Sequence, residues 1–448
     1  VRAVPGILWR VRGLLVAMAK AMFRRAAFHE RYREAHATLE RHLDAHRDES
    51  MPMSNYVRCL FWHLGKVSEV TTTPALFMYI FGGTRALDRL IDPPSEEQQR
   101  LAGAIKSGAD DLVFEMGIAL HQLSTLLPSD AFDDIETLER SLVARGLPRE
   151  FLAAWDEFVE RFGCRGPLEM DLAYPRYGDD PKVALRQIAM LARGGSVNPA
   201  EVHERQARAR QTAYDELAES LPPKKRRRLE RAYHNILDFE PAREMPKHHL
   251  TMVHMCIRTR LLGLADRWVA DDRLDRRDDI FELRFEDIDR GEQDPRLNLR
   301  ELMASRNVFY RKARALVRHF PHAIDSRGRI LRPDRSQKPG ELSGLAVSSG
   351  RVSGPVKVLH DPFEKEVEPG DILVAHTTDP GWTPLFINAA AVLLEVGGEL
   401  QHGALVAREY GKPCVAGIVG LTRSLNDGQM VEVDGDAGIV RILSELPS

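Results

Sequence analysis

The chain has 448 residues, enough for two or three domains with cores of their own. Hydrophobic residues make up 43% and charged residues 29%, the profile of a globular protein, and the net charge of −3 gives no global field for nucleic acid or an anionic membrane. The four cysteines (Cys59, Cys164, Cys256 and Cys414) are far apart and form no C-x-x-C pair, which argues against a zinc site or a disulfide framework and for a reducing, cytoplasmic setting.

The first segment, "GILWRVRGLLVAMAKAMFRR", is apolar but interrupted by Arg10, Arg12 and Lys20. It lacks the run of about 18 uncharged apolar residues that a membrane span needs, and it has no signal-peptide layout, so an amphipathic helix packed on a core is expected. The chain begins at Val1, not Met, so a longer parent polypeptide is an open reading. From here to about Pro321 apolar residues recur at three- and four-residue spacing, as in "RYREAHATLERHLDAH" and "HHLTMVHMCIRTRLLGLADRWV", with breakers such as "DPPSEE" and "SLPPKK" between them. The pattern predicts an all-α domain over residues 1–323, without a repeat period.

Several features inside this half invite a function and have blander explanations. "FGGTRALDRL" holds a Gly-Gly but follows no strand, so it is not read as a phosphate loop. "KKRRRLER", Lys224 to Arg231, opens an apparent helix and is read as a solvated face. His248, His249 and His254, and His42 with His46, have no carboxylate or cysteine at ligand spacing, so no metal site is expected. Phe61, Trp62, Phe77, Tyr79 and Phe81 form either core or the lining of a pocket for a bulky ligand.

Near Asp325 the composition shifts to Arg, Pro, Gly and Ser, a linker over 324–343. Beyond Gly344 the hydrophobic period falls toward two. "GLAVSSGRVSGPVKVL", "GDILVAH", "AAVLLEV", "KPCVAGI" and "GQMVEVDGDAGIVRIL" read as short strands between glycine turns. Two helices fit among them, one after Pro380 and one from about His402 to Tyr410. The fold class is therefore multidomain α and α/β, with a large all-α domain followed by a compact α/β domain at 344–448.

The strand "AAVLLEV" runs into Gly397 and Gly398, and the helix "HGALVAREY" places His402 at its N-terminus. Unsatisfied N–H groups and the positive end of the helix dipole gather there and favour an anion. The glycines let the backbone approach a bulky group, and histidine is a competent nucleophile. A phosphoryl group on this ring would be an anion held where the helix favours one. On residues alone, a capping or surface histidine is the competing reading.

"GGELQHGALVAREYGKPCVAGI" resembles the phosphohistidine signature of the PEP-utilising enzymes, the family of PEP synthase, pyruvate phosphate dikinase and rifampicin phosphotransferase. The resemblance implies that 344–448 is a swivelling β/β/α domain carrying phospho-His402. It also implies a phosphate site at Gly397, Gly398 and Gly403, with Thr378 from the similar "TTDPGWTPLF" stretch. Leu400 and Gly403 depart from the commonest form of the signature. No barrel follows the histidine domain, so the layout is closest to the last two domains of the rifampicin phosphotransferases, whose helical domain binds substrate. "FVERFGCRGPLEMDLAYPRYGDDP" resembles a segment of that domain, with Cys164 where histidine is usual, and it implicates Arg165 and Glu169 in substrate binding; a buried ion pair is the alternative. "AREMPKHHL" resembles an Arg-Glu-x-x-Lys element and implicates Arg243 and Lys247, four apart and so on one helix face, as cations for a phosphoryl group in transit. Pro246 between them puts that helix in question.

The resemblance implies charging by ATP and Mg2+ on an ATP-grasp domain with no candidate in these residues, and a small-molecule hydroxyl or carboxyl acceptor. The expected activity is a dikinase-type phosphotransferase that is incomplete without that domain or subunit. A degenerate member acting as a binding or regulatory module is the alternative.

Overall fold

A computed structural model describes residues 16, 19, 25–45, 51–106, 112–193, 198–240, 244–316, 323–331, 340–398 and 401–443. Its residues fall into two compact units that do not follow chain order. One comprises 1–74, 170–175 and 246–334, the other 75–169, 176–245 and 335–448. The helical stretch expected as one domain is thus shared between the units. Of the expected linker, part forms a hairpin of β1 (Ala323–Ile324) and β2 (Ile330–Leu331), and Glu341–Ser343 forms β3; the intervening residues and the N-terminal apolar segment lie outside the described residues, apart from positions 16 and 19.

In the first unit the helix Met53–Val70 buries Met53, Tyr56, Leu60 and Val67, one stripe at three- and four-residue spacing. Its N-terminus is closed by Asp289, whose carboxylate accepts from the Ser54 N–H at 3.2 Å. The stripe packs into a core with Val253, Ile257, Leu261, Leu264 and Trp268 of the helix Met245–Ala270. Pro246 is the second residue of that helix. It begins the helix instead of kinking it, because a first-turn N–H has no intrahelical partner to lose.

The second unit joins helices to an eight-stranded mixed sheet. The strands after β3 are β4 (Leu345–Ser348), β5 (Arg351–Leu359), β6 (Ile372–Ala375), β7 (Ala391–Leu394), β8 (Cys414–Ala416), β9 (Met430–Asp434) and β10 (Ile439–Ile442), in the order β3-β10-β9-β5-β6-β7-β8-β4. Strands β5 to β8 run parallel; the outer pairings are antiparallel. Every residue of β6 and β7 is buried, as expected of parallel strands covered on both faces. The helices Thr383–Asn388 and His402–Glu409 fall where the sequence places them. One face of the sheet closes over Val356, Ile372, Val374, Leu393 and Val431. The other shares a core with the helices Leu112–Thr125, Arg149–Phe162 and Pro181–Arg193: Phe114, Met116, Leu120, Phe158 and Ile188 cluster with Trp382, Leu385, Phe386 and Tyr410.

Candidate active site

His402 is the first residue of its helix, behind an N-cap Gln401 with extended backbone (φ −80°, ψ 154°) and no side-chain cap. It lies beyond the carboxyl ends of the parallel strands, where ligands of open α/β sheets are held. The Glu395 N–H donates to the Ala375 carbonyl at 3.0 Å and the Val396 N–H to the His376 carbonyl at 2.8 Å, so β6 and β7 stay paired until the glycines.

Gly397 is buried, and a Cβ there would sit 2.8 Å from the Ala416 Cβ; Gly398 faces open space. A Cβ on Gly403 would come within 2.4 Å of the Thr378 Oγ1 and 2.6 Å of the Leu394 Cδ1. Gly397, Gly398, Gly403 and Thr378 therefore all sit around the entry to the His402 helix. The Thr378 hydroxyl oxygen is buried and makes no hydrogen bond among the described residues.

Sequence reasoning passed over a neighbouring cluster. Glu395, just past β7, accepts from both the N–H (3.1 Å) and hydroxyl (2.6 Å) of Thr422, and its other oxygen lies 3.7 Å from His376 Nδ1. Burial alone would raise its pKa; the Thr422 bonds and the His376 ring outweigh that and hold it below the ordinary value. The lead-in to His402 is thereby tied to the segment after β8. Glu395 was unremarkable in sequence, because its partners are 19 residues before it and 27 after it.

Arg165 and Glu169 are both buried, at 0% and 1% exposure, and paired through Nε–Oε2 at 2.6 Å and Nη2–Oε1 at 3.1 Å. Burial would lower the Arg165 pKa, but the Glu169 carboxylate, with Glu244 and Cys164 beyond it, holds it above the usual value. Arg176, also fully buried, donates to the Glu169 carbonyl at 2.9 Å. The two side chains form an ion pair in the protein interior. They brace a turn whose tip, Leu168, has φ +48°, in the left-handed region that bulky residues avoid. The Leu168 N–H donates to Asp379 Oδ2 at 2.9 Å, and the Gly381 N–H takes the other carboxylate oxygen at 2.8 Å.

Lys247 lies half-buried in the first turn of the helix Met245–Ala270; Arg243 lies outside the described residues. Lys247 belongs to the first unit and His402 to the second.

Among the described residues no group of three His, Cys, Asp or Glu side chains is arranged to hold a metal ion. The histidines pair with each other: His36 Nδ1 is 2.9 Å from His249 Nε2, and His248 stacks 6.1 Å from His36. Burial, then His36, push the His249 pKa down to about 4. The aromatic group is divided. Phe61 and Trp62 are exposed in the first unit, where Trp62 lines a cavity of about 370 Å3 with His42, His63 and Lys66. In the second unit Tyr79 is buried, and the exposed Phe77 and Phe81 rings pack tilted at 4.9 Å. "FGGT" ends a π-helix, Met78–Thr84, whose glycines admit Asn235 and Ile236: Asn235 Nδ2 donates to the Gly82 carbonyl at 2.8 Å. Lys224 to Arg228 are exposed on one helix, as a solvated face would be. No helix among the described residues is long and apolar enough to cross a membrane.

Residues 367–438 match the mobile domain of PEP-utilising enzymes, and residues 73–244 match the fourth domain of rifampicin phosphotransferase. Through these two domains the chain belongs to the PEP-utilising enzymes of the rifampicin phosphotransferase type. It is 32% identical over 354 residues to a rifampicin phosphotransferase of a Streptomyces species, covering 75% of this chain and 41% of the relative. Against that of Streptomyces sviceus it is 30% identical over 401 residues (84% and 45%), and against that of Bacillus cereus 32% over 301 (65% and 34%). The chain spans less than half the length of these relatives.

Proposed function

We propose that this chain is the carrier and acceptor portion of a phosphotransferase that moves a phosphoryl group from ATP to a small-molecule hydroxyl or carboxyl through His402. The observation that carries this reading is His402 at the head of its helix, beyond the parallel strands, with Gly397, Gly398, Gly403 and Thr378 around that entry. A neutral imidazole nitrogen attacks phosphorus, a P–N bond forms, and the bond to the donor oxygen breaks. The acceptor oxygen then attacks the same phosphorus, the P–N bond breaks, and the acceptor's proton is released as the imidazole returns to its neutral form. Two charge-stabilising sets serve the carried group: the N–H groups of the His402 helix on the carrier, and Lys247 with Arg243 on the acceptor side.

In this reading ATP and Mg2+ belong to an ATP-grasp domain or subunit, and no step here is routed through the metal. The domain with His402 works as a mobile arm between that domain and the acceptor, in a cytoplasmic setting. The relatives' names make rifampicin the first acceptor to try.

The test is acid-labile labelling from ATP carrying label at its β-phosphate, in the presence of a family ATP-grasp protein. Label is expected on the parent chain and absent from His402→Ala. Equal labelling of the two chains would sink the reading, and no labelling of either under any charging condition would leave the non-catalytic module as the better account.

A further inference from the structure

We propose that Glu395 is a positioning residue for the carrier histidine: from the face of the sheet turned away from His402, its carboxylate clamps the end of β7 to Thr422 and so fixes where the glycine turn departs. The inference deepens the reading of His402 as carrier and rests on it.

The need for such a residue follows from the lead-in. Glycine has the freest backbone of any residue, and Gly397 and Gly398 stand together between β7 and the His402 helix. A Cβ on Gly398 would meet nothing within 4 Å, and the N-cap Gln401 gives the helix no side-chain cap. The path of the turn is therefore set where the strand ends.

That strand end has two faces. Val392 and Leu394 join the core that holds Ala404 and Val406 of the His402 helix, whereas Ala391 and Leu393 join the core that holds Leu421 and Leu425. By the alternation of a strand, Glu395 falls on the second face. Its side chain is only 11% exposed there. Oε2 takes both Thr422 bonds, from the N–H at 3.1 Å and the hydroxyl at 2.6 Å, and bonds to a charged acceptor are the stronger kind. A clamp positions only if its far end is fixed. Thr422 follows Leu421, which is fully buried, and Gly420, whose φ of +73° side chains disfavour. Two backbone bonds frame the same point: the Val396 N–H donates to the His376 carbonyl at 2.8 Å, and the Ile418 N–H to the Leu394 carbonyl at 3.2 Å. Glu395 adds a side-chain link to this frame. Phosphoryl transfer needs the attacking and leaving atoms in line, and a misplacement of about 1 Å can cost about a hundred-fold in rate. Loosening at Glu395 thus slows transfer while the imidazole keeps its nucleophilicity.

The test compares an enzymatic and a chemical donor on Glu395→Leu, with the phosphoryl group read on the His402 peptide. Phosphoramidate reacts free in solution: a ring nitrogen takes the phosphorus, and ammonia leaves with the ring's proton. With this donor the variant should react within about two-fold of the parent. With ATP and a family ATP-grasp protein, its maximal rate should fall about ten-fold or more at an unchanged KM for ATP. Glu395→Gln should recover most of that rate, because an amide oxygen can still accept both Thr422 bonds. Thr422→Val, which keeps the N–H and loses the hydroxyl, should fall between the two. The proposal is overturned if Glu395→Leu matches the parent with ATP, if it loses equally with both donors, or if Glu395→Gln is as slow as Glu395→Leu. Should Glu395→Leu not fold, Thr422→Val is judged with both donors on the same terms. If neither donor modifies His402 in the parent, the carrier reading itself fails and takes the proposal with it.

Discussion

Gly403 shows how little room the carrier site leaves. A methyl group there meets the Thr378 hydroxyl and the Leu394 side chain at distances real Cβ atoms do not adopt. Gly403→Ala is expected to cost about 1–3 kcal/mol, the usual penalty of overpacking, read as a lower urea midpoint. Thr378→Ala added to it should recover part of the loss, because it removes the closer of the two obstacles. His249 carries a separate expectation. Its pKa falls to about 4 in the fold, against about 6.5 in an unfolded chain, so the unfolded state binds the proton more readily. Its contribution is present above pH ~6.5 and is lost as the pH falls toward 4, by roughly 3 kcal/mol in all. Urea unfolding at pH 7 and pH 4.5 should show a smaller acid loss in His249→Gln than in the parent; an equal loss would mean that the imidazole is not the source.

At the scale of elements, the Arg165–Glu169 pair decides between support and substrate contact. Removing one partner strands a buried charge, which costs about 3–5 kcal/mol, whereas replacing both by apolar residues is often near neutral. Arg165→Met alone should therefore lower the melting temperature far more than Arg165→Met with Glu169→Leu. If the double variant is folded yet fails to pass label from His402 to any acceptor, the pair has a role beyond bracing its turn. The same segment marks where sequence pattern stops being informative. Period-two runs and glycine turns located β5 to β10, and the helix at His402, because local chemistry sets them. The placement of the entry glycines and Thr378 beside the His402 helix was legible through their motif. The divided helical half was not: an amphipathic stripe on Met53–Val70 says that one face is buried and is silent on which unit buries it. Met170–Pro175 belongs to one unit while both its flanks belong to the other, an assignment made by contacts between residues far apart in the chain. Glu395, Asp379 and Gln187 escaped notice for the same reason, each finding its partners across long separations.

For the molecule as a whole, the helices and the sheet of the second unit share one core, so damage at the junction should be felt on both sides. Gly117→Val places two methyl groups where the Tyr410 hydroxyl oxygen already lies within 2.5 Å of an added Cβ. The helix cannot retreat, since Met116 and Leu120 beside it are fully buried, and a close-packed interior transmits the displacement. Trp155 and Trp382, one on the helical side and one on the sheet side, belong to that core. In a urea series followed by hydrogen exchange, the peptides holding these two residues should lose protection at the same, lowered midpoint in the variant, as one cooperative unit does. Peptides around Trp268, in the core of the other unit, should keep the parent's midpoint. If Trp382 peptides open early while Trp155 peptides hold, the sheet domain is an independent folding unit, and its seat on the helices is a contact made after folding.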